Sequence, residues 1–371
     1  MKNLLFRKEH SKMTIREIAQ LAGVSSAAVS RYLNGGYVSG EKKERIKKVI
    51  QETGYQPSVQ ARILRTKKTC LVGVVVPKIN SESISRVTEG VGQVLSERGY
   101  QMLLASTDNQ ADKEVMYMKI FENYPVDGII LIGTMITARH RKFLKESRVP
   151  VVVIGQYTRL ANCVYHDDIG AGKAMGRAVG RALALHPGGK AAYIGVTRED
   201  KAAGAAREDG FRAGLKAEGQ KLEEEYRRIS RFRMESGYEA AMDLLKKKDD
   251  IVVISCATDT IAAGAMEAIL DYQKEKKPDG EEAAAGTGRY LFADSPVKVT
   301  GFGDNQFLKA VTGGIPTVHF AYKTSGIKGA ELLLDVVEKE EQIPVEMKLG
   351  FQFVEAAGWG AGQQDEREAV R

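Results

Sequence analysis

Arg31, in the stretch TIREIAQLAGVSSAAVSRYLNGG (residues 14–36), is placed to do recognition chemistry. A guanidinium carries parallel N–H donors that match the O6 and N7 edge of guanine. Ser26, Ala27 and Ser30 share its helix face and are small enough to lie against a thymine methyl or a phosphate. A second chemistry-bearing cluster is His166, Asp167 and Asp168 in YHDDIG. An imidazole and two carboxylates suggest metal or acid–base chemistry. On an extended segment, however, neighbouring side chains point to opposite faces, so three consecutive ligands converge poorly. The segment reads as a crossover loop with one buried carboxylate. GFG at 301–303 does not complete a dinucleotide fingerprint, and neither a phosphate loop nor a nucleophile elbow occurs. The pattern therefore points away from an enzyme and calls for no cofactor and no metal. Cys70, Cys163 and Cys256 are few, odd in number and widely spaced, which fits free thiols in a reducing cytoplasm.

The elements that position Arg31 are legible. Ile15, Ile18, Ala19 and Ala22 recur at helical spacing, with Arg16, Glu17 and Gln20 opposite. Thr14 and Glu17 form a capping box, and Gly23 stops the helix. Ser25 caps a second helix that turns Ala28, Val29, Tyr32 and Leu33 inward. Two short helices across a tight turn make a helix-turn-helix, whose second helix presents its first residues to the major groove. A third helix, with Ser39 as its cap, turns Ile46, Val49 and Ile50 inward. Pro57 ends the run, and Ser58 caps a short helix carrying Arg62, Ile63 and Leu64.

Charge supports this reading. Residues 1–69 hold 15 Lys and Arg against 5 Asp and Glu, whereas the chain as a whole is +7. The remainder is therefore mildly acidic, and the polyanion partner belongs to the head. A chain of 371 residues implies more than one domain. No apolar run approaches the roughly 18 residues of a membrane span, and the N-terminus has no signal-peptide pattern. A cytoplasmic protein without a membrane partner is expected.

From residue 70 the texture becomes α/β. The apolar run CLVGVVVPKIN (70–80) reads as a buried parallel strand. Amphipathic helices then alternate with strands at QMLLAST, DGIILIGT and VPVVVIGQ, and the pattern restarts after residue 169 through KAAYIGV, DIVVISCA and VKVTGFG. This predicts two doubly wound parallel-sheet halves joined by several crossovers. Ligands in such sheets sit beyond the carboxyl ends of the strands. Lys78, Asn80 and Ser81 follow the first strand, Thr134 the third, and Gln156 and Tyr157 the fourth.

The string TIREIAQLAGVSSAAVSRYLNGGYVS, continued by YQPSVQARILRTKK, resembles the headpiece of the LacI/GalR family of transcriptional regulators over residues 14–68 without gaps. The resemblance implies that Ser26, Ala27 and Arg31 read bases. It also implies that Leu64 is a lever in the minor groove, on a hinge helix that folds when two protomers sit on DNA. The DNA-contacting set is then Thr14, Ser25, Ser26, Ala27, Ser30, Arg31, Asn34, Tyr55, Ser58, Ala61 and Leu64. AREDGF, CATDTIAAGAM and VTGFGDN extend the resemblance to the body, which is similar to the periplasmic sugar-binding proteins. There Arg207 and Asp259 are implied as a clamp on sugar hydroxyls, and Phe320 and Tyr322 lie where the family sets an aromatic against the ligand. Within the family the chain is most similar to the trehalose/sucrose type of sugar operon repressor. Lys78 then falls where a basic residue meets a sugar phosphate, with Arg159 as a second phosphate partner.

The expected protein is a dimeric regulator that binds a pseudo-palindromic double-stranded operator and is released by a sugar or sugar phosphate. Alternatives are a ligand-promoted repressor or a dual regulator of the same family, or a sugar-binding protein without DNA function. Expected boundaries are an extension at 1–12 ahead of Met13, a helix-turn-helix domain at 13–57, and a hinge at 58–69. The body spans 70–360, one half taking about 70–168 with 320–345 and the other about 169–319 with 346–360. The polar stretch at 272–296 reads as a surface insertion. The tail at 361–371 lacks leucine heptads, so a dimer rather than a tetramer is expected.

Overall fold

The computed structural model describes residues 13–33, 35–55, 68–276, 295–338, 343–356 and Trp359. The extension 1–12, Asn34, the hinge segment with Ser58, Ala61 and Leu64, most of the 272–296 insertion and the tail lie outside the described residues. The chain divides into two compact units, Met1–Thr69 and Cys70–Arg371.

In the first unit, α1 (Ile15–Ala22), α2 (Ser26–Leu33) and α3 (Gly40–Thr53) enclose a small core of Ile18, Ala19, Ala22, Val29, Ile46 and Tyr55. The capping box is formed: the Thr14 amide donates to Glu17 Oε2 at 2.8 Å, and the Glu17 amide donates to Thr14 Oγ1 at 3.3 Å. Gly23 ends α1 at φ 62°, a left-handed conformation that glycine takes without a Cβ clash. The Ala28 amide donates to Ser25 Oγ at 3.2 Å, which fixes the start of α2. Ser39 makes no side-chain cap; only its carbonyl joins α3, accepting from the Lys43 amide.

The second unit holds a six-stranded parallel sheet in the order β11-β5-β4-β3-β1-β2 and a four-stranded parallel sheet in the order β7-β6-β8-β9. The first comprises β1 (Leu71–Val76), β2 (Gln101–Ser106), β3 (Gly128–Ile132), β4 (Val151–Ile154), β5 (Asn162–His166) and β11 (Glu346–Leu349). The second comprises β6 (Lys190–Gly195), β7 (Arg227–Ile229), β8 (Ile251–Cys256) and β9 (Lys298–Thr300). An antiparallel pair, β10 (Thr317–Phe320) with β12 (Phe351–Val354), completes the strands. Helices cover both sheets: α4 (Glu82–Glu97), α5 (Ala111–Asn123), α6 (Ala138–Glu146) and α12 (Tyr322–Glu338) on the first, α7 (Asp168–Ala184), α8 (Arg207–Ala217), α9 (Met234–Lys247) and α10 (Asp259–Lys276) on the second. A short α11 (Gln306–Thr312) follows β9. Strand order reverses at β1 in one sheet and at β6 in the other, so the loops after these strands open at switch points.

Three chain passages link the halves: β5 into α7, β10 into α12, and β11 into β12. The last differs from expectation. Residues 346–349 pair with β5 in the first sheet, Met347 opposite Val164, so the crossing falls at Gly350 and not at 345–346. The sequence pattern also omits β5, β7, α11, β10, α12, β11 and β12. The strands among these are only three to five residues long. The buried face of α12 is built largely from Ser325, Gly326, Gly329 and Ala330, small residues that blur a helical hydrophobic period.

Candidate functional site

Between the two sheets of the second unit lies a cleft whose walls come from loops at strand carboxyl ends. Seven of the nine expected ligand residues line it: Lys78, Ser81, Thr134, Gln156, Arg207, Asp259 and Tyr322. Two do not. Asn80 is exposed on the loop after β1. Phe320 is fully buried with its ring 4.8 Å beneath the Arg207 guanidinium, so it supports the floor from behind. Tyr157 and Arg159 also lie outside; both are exposed, and Arg159 Nε donates to the Tyr157 hydroxyl at 2.8 Å.

Arg207 is the centre of the floor. A six-residue π-helix, Lys201–Ala206, precedes it and delivers it at the first position of α8. π-turns of this kind recur at functional sites because the widened turn re-aims a side chain. Asp200 caps the π-helix, its Oδ1 accepting from the Ala202 and Ala203 amides at 2.9 Å each. Gly172 of α7 meets α8 here; a Cβ at this position would strike the Arg207 carbonyl. The guanidinium donates from Nε to Asp168 Oδ1 at 2.8 Å and from Nη1 to the Ala257 carbonyl at 2.7 Å, and it stacks over Phe302 as well as Phe320. Burial works against its charge, but Asp168, Tyr322 and Asp200 together offset this, so Arg207 stays firmly protonated.

Asp259 is a staple as well as a wall. Its Oδ2 accepts from the Asn305 amide at 2.7 Å and its Oδ1 from Thr317 Oγ1 at 2.8 Å. The start of α10 is capped instead by Thr258, whose Oγ1 accepts from the Ile261 amide at 3.3 Å. Burial pushes the Asp259 carboxyl up to about 6 in spite of those two donors. Burial likewise raises the carboxyl of Asp200. The floor thus gathers three carboxylates, Asp168, Asp200 and Asp259, around one fixed guanidinium.

Direct contacts cross the cleft. Lys78 Nζ donates to the Phe232 carbonyl at 2.7 Å, and Gln156 Nε2 to Asp200 Oδ1 at 2.9 Å. At the rim Arg233 pairs with Asp108 at 3.0 Å, and Arg86 reaches the Gly303 carbonyl at 3.4 Å. Burial, with the nearby positive charge of Arg233, lowers the pKa of Lys78.

Sequence reasoning left Asp200, Phe232, Phe302 and His166 out of the ligand set. The strand-end rule that selected Lys78 would also have reached Asp200, which follows β6. Phe302 follows β9 and lies within reach of the same rule, whereas Phe232 follows β7, a strand that the sequence pattern omits. The triple His166, Asp167 and Asp168 spans the end of β5, the cap of α7 and its first residue, so His166 and Asp168 line the cleft while Asp167 does not. Asp168 pairs with Arg207, while Asp167 caps α7 through Gly170 at 3.1 Å and pairs with Lys348 at 2.8 Å. Among the described residues no cluster of three or more His, Cys, Asp or Glu is arranged to hold a metal. All three cysteines are free thiols. No helix among the described residues is long and apolar enough to cross a membrane.

In the headpiece, Ser25, Ser26, Ala27 and Arg31 are exposed on one side of α2, with Thr14 exposed at the start of α1 and Ser30 half-buried. Tyr55 is an exception to the expected contact set. It is buried in the headpiece core, where its ring secures α3 and does not present a contact face.

Comparison with known proteins places both units. Residues 14–58 match the bacterial regulatory proteins of the lacI family, and residues 69–355 match the periplasmic binding proteins and sugar binding domain of the LacI family. The sucrose operon repressor of Staphylococcus xylosus is 29% identical over 341 residues, 91% of this chain and 99% of that protein. Among solved structures, the CelR–cellobiose complex of a transcriptional regulator aligns with a TM-score of 0.65 at 25% identity, covering 94% of this chain and all of that one. The lac repressor dimer bound to operator and the anti-inducer ONPF shares the fold, with a TM-score of 0.74 at 18% identity over 93% of this chain and 98% of that one. A helix-turn-helix headpiece followed by a two-sheet body with its cleft at the strand ends is the architecture of that family, and the chain belongs to the LacI family of bacterial transcriptional regulators.

Proposed function

We propose that this chain is a cytoplasmic, dimeric repressor of a sugar-utilisation operon, released from its operator when a sugar or sugar phosphate occupies the cleft. The observation that carries the reading is the floor around Arg207. A guanidinium locked by Asp168 and Ala257 over two aromatic rings, ringed by carboxylates, offers fixed charged donors and acceptors. Such groups make strong, directional hydrogen bonds to hydroxyls. Arg207 and Asp259 grip the sugar, Gln156, Ser81, Thr134 and Tyr322 complete its surround, and Lys78 is the basic group for a phosphate.

In the headpiece, Arg31 is the bidentate base reader, with Ser26 and Ala27 beside it. Two headpieces on a pseudo-palindrome give the dimer its half-site spacing. Lys and Arg contacts to phosphates make operator binding weaken steeply with salt. The effector releases DNA only through unequal affinity for the two states of the protein.

The test is fluorescence anisotropy of the full chain on labelled DNA from upstream of its own gene. Sucrose, trehalose 6-phosphate, sucrose 6-phosphate, fructose 1-phosphate and glucose 6-phosphate are then titrated in. Release by one of them, abolished in Arg207→Ala while operator binding persists, is the expected result. Tightened binding would reverse the sign of regulation. No response to any of them would remove the sugar assignment.

A further inference from the structure

His166 ends β5 at the passage between the halves and lines the cleft floor, only 7% exposed. Its ring is fixed from two sides, its centroid 5.1 Å from that of Phe320 and 5.3 Å from that of Tyr322. One ring nitrogen is hydrogen-bonded to the Ala321 backbone in the sense that favours a proton there. The other, Nε2, is buried without a partner. Buried polar atoms are nearly always paired, so an orphan on a cleft wall marks a bond made by something else. The charged groups facing the ring are Asp168 on α7 and Arg207 on α8. Burial outweighs Asp168 and, with Arg207, lowers the imidazole pKa to about 4, so the ring is neutral near pH 7. A neutral imidazole with its proton on the Ala321 side presents a bare lone pair at Nε2.

We infer that His166 is a specificity-determining acceptor, taking through Nε2 a hydrogen bond from a hydroxyl of the effector. This rests on the reading of the cleft as a sugar site and adds a demand to it. The inner end of the cleft requires a donor, since Nε2 offers only a lone pair, the neighbouring Arg207 already donates to Asp168 and Ala257, and the carboxylates of Asp168, Asp200 and Asp259 line the same cleft. An ionised phosphate has no proton to give and would meet these carboxylates. The neutral polyol part of the effector therefore occupies the inner end, and any anionic group lies outward, toward Lys78.

Two measurements on the full chain test this. The first is long-range proton–nitrogen NMR with 15N-histidine; the chain has five histidines, and His166→Phe assigns the signal. A neutral ring with its proton on Nδ1 down to about pH 5 is expected, and a proton on Nε2 at pH 7 overturns the acceptor. The second is calorimetric titration of wild type and His166→Phe with sucrose, cellobiose, trehalose and their phosphates. The phenyl ring keeps the packing against Phe320 and Tyr322. The best-binding sugar should lose roughly ten- to hundredfold in affinity in the variant. If that variant does not fold, monodeoxy analogues of the same sugar on wild type take its place, and one of them should show the same loss. Undiminished affinity in the variant, or for every deoxy analogue, overturns the inference, because the orphan nitrogen then serves only a water. Failure of every sugar to bind wild type overturns the sugar reading, and the hydroxyl with it, whereas a misplaced proton overturns the acceptor alone.

Discussion

At the scale of single residues, two buried titratable groups act on stability in opposite directions. Burial raises Asp259 from 3.8 to about 6, so its contribution to folding is fully present below pH 3.8 and is lost as the pH rises to about 6. Burial lowers His166 from 6.5 to about 4, so its contribution is present above pH 6.5 and is lost as the pH falls to about 4. Each full shift is on the order of 3 kcal/mol, and between pH 4 and 6 the two slopes oppose each other. Urea unfolding at a series of pH values should therefore show His166→Phe gaining on wild type as the pH is lowered from 6.5 to 4. Asp259→Asn should gain on wild type as the pH is raised from 4 to 6. Parallel curves would mean that neither group titrates in the folded state as its burial requires. The same two residues show what a sequence holds. Asp259 stands in a motif that resembles its family. His166 is visible only as one polar residue of a His-Asp-Asp run read as a crossover loop, and its surroundings come from Phe320 and Tyr322, far away in the chain, packing against it.

At the scale of elements, the site depends on how α7 and α8 meet. Gly172 lies where the Arg207 carbonyl leaves no room for a side chain, so the helices cross at the level of the guanidinium. Gly172→Ala should force α8 outward, costing about 1–3 kcal/mol of stability as overpacking does. It should also weaken effector binding while operator binding at low temperature is kept, as thermal melts beside calorimetric titration would show. In the headpiece, Thr14→Ala removes both hydrogen bonds of the Thr14 hydroxyl to Glu17, keeping the one made by its own amide, and should cost about 1 kcal/mol. The caps and the turn of α1 and α2 are local, and so they were legible: Thr14, Gly23 and Ser25 act within three residues of their partners. The π-helix before Arg207 was not legible. KAAGAA has the composition of an ordinary helix start, and its wide turn follows from Asp200 tying its amides to Gln156 of the other half.

At the scale of the whole second unit, the cleft is held shut by contacts of unequal depth. Arg233 and Asp108 are more than half exposed, and such ion pairs contribute about 0–1 kcal/mol and fade with salt. Gln156 and Asp200 are buried, and Asp200 Oδ1 gathers three donors, one of them from the opposite half. A ligand that binds the closed form has its apparent affinity scaled by how far that form is already populated, and the buried latch contributes more to that population than the rim pair does. Asp108→Ala should therefore change effector affinity by less than about fivefold, and the change should vanish in 0.5 M salt. Gln156→Ala removes the donor that reaches Asp200 across the cleft, leaving that carboxylate with donors from its own half alone. It should weaken the effector by about tenfold or more, independently of salt. Calorimetric titration of the two variants at low and high salt separates the cases. If both follow the rim pattern, closure is governed by long-range charge, and the carboxylate floor serves the ligand without setting the conformational equilibrium. If Gln156→Ala alone stands out, a residue that lines the cleft is also the one that joins the halves, and occupancy of the cleft is converted into movement at a single buried hydrogen bond.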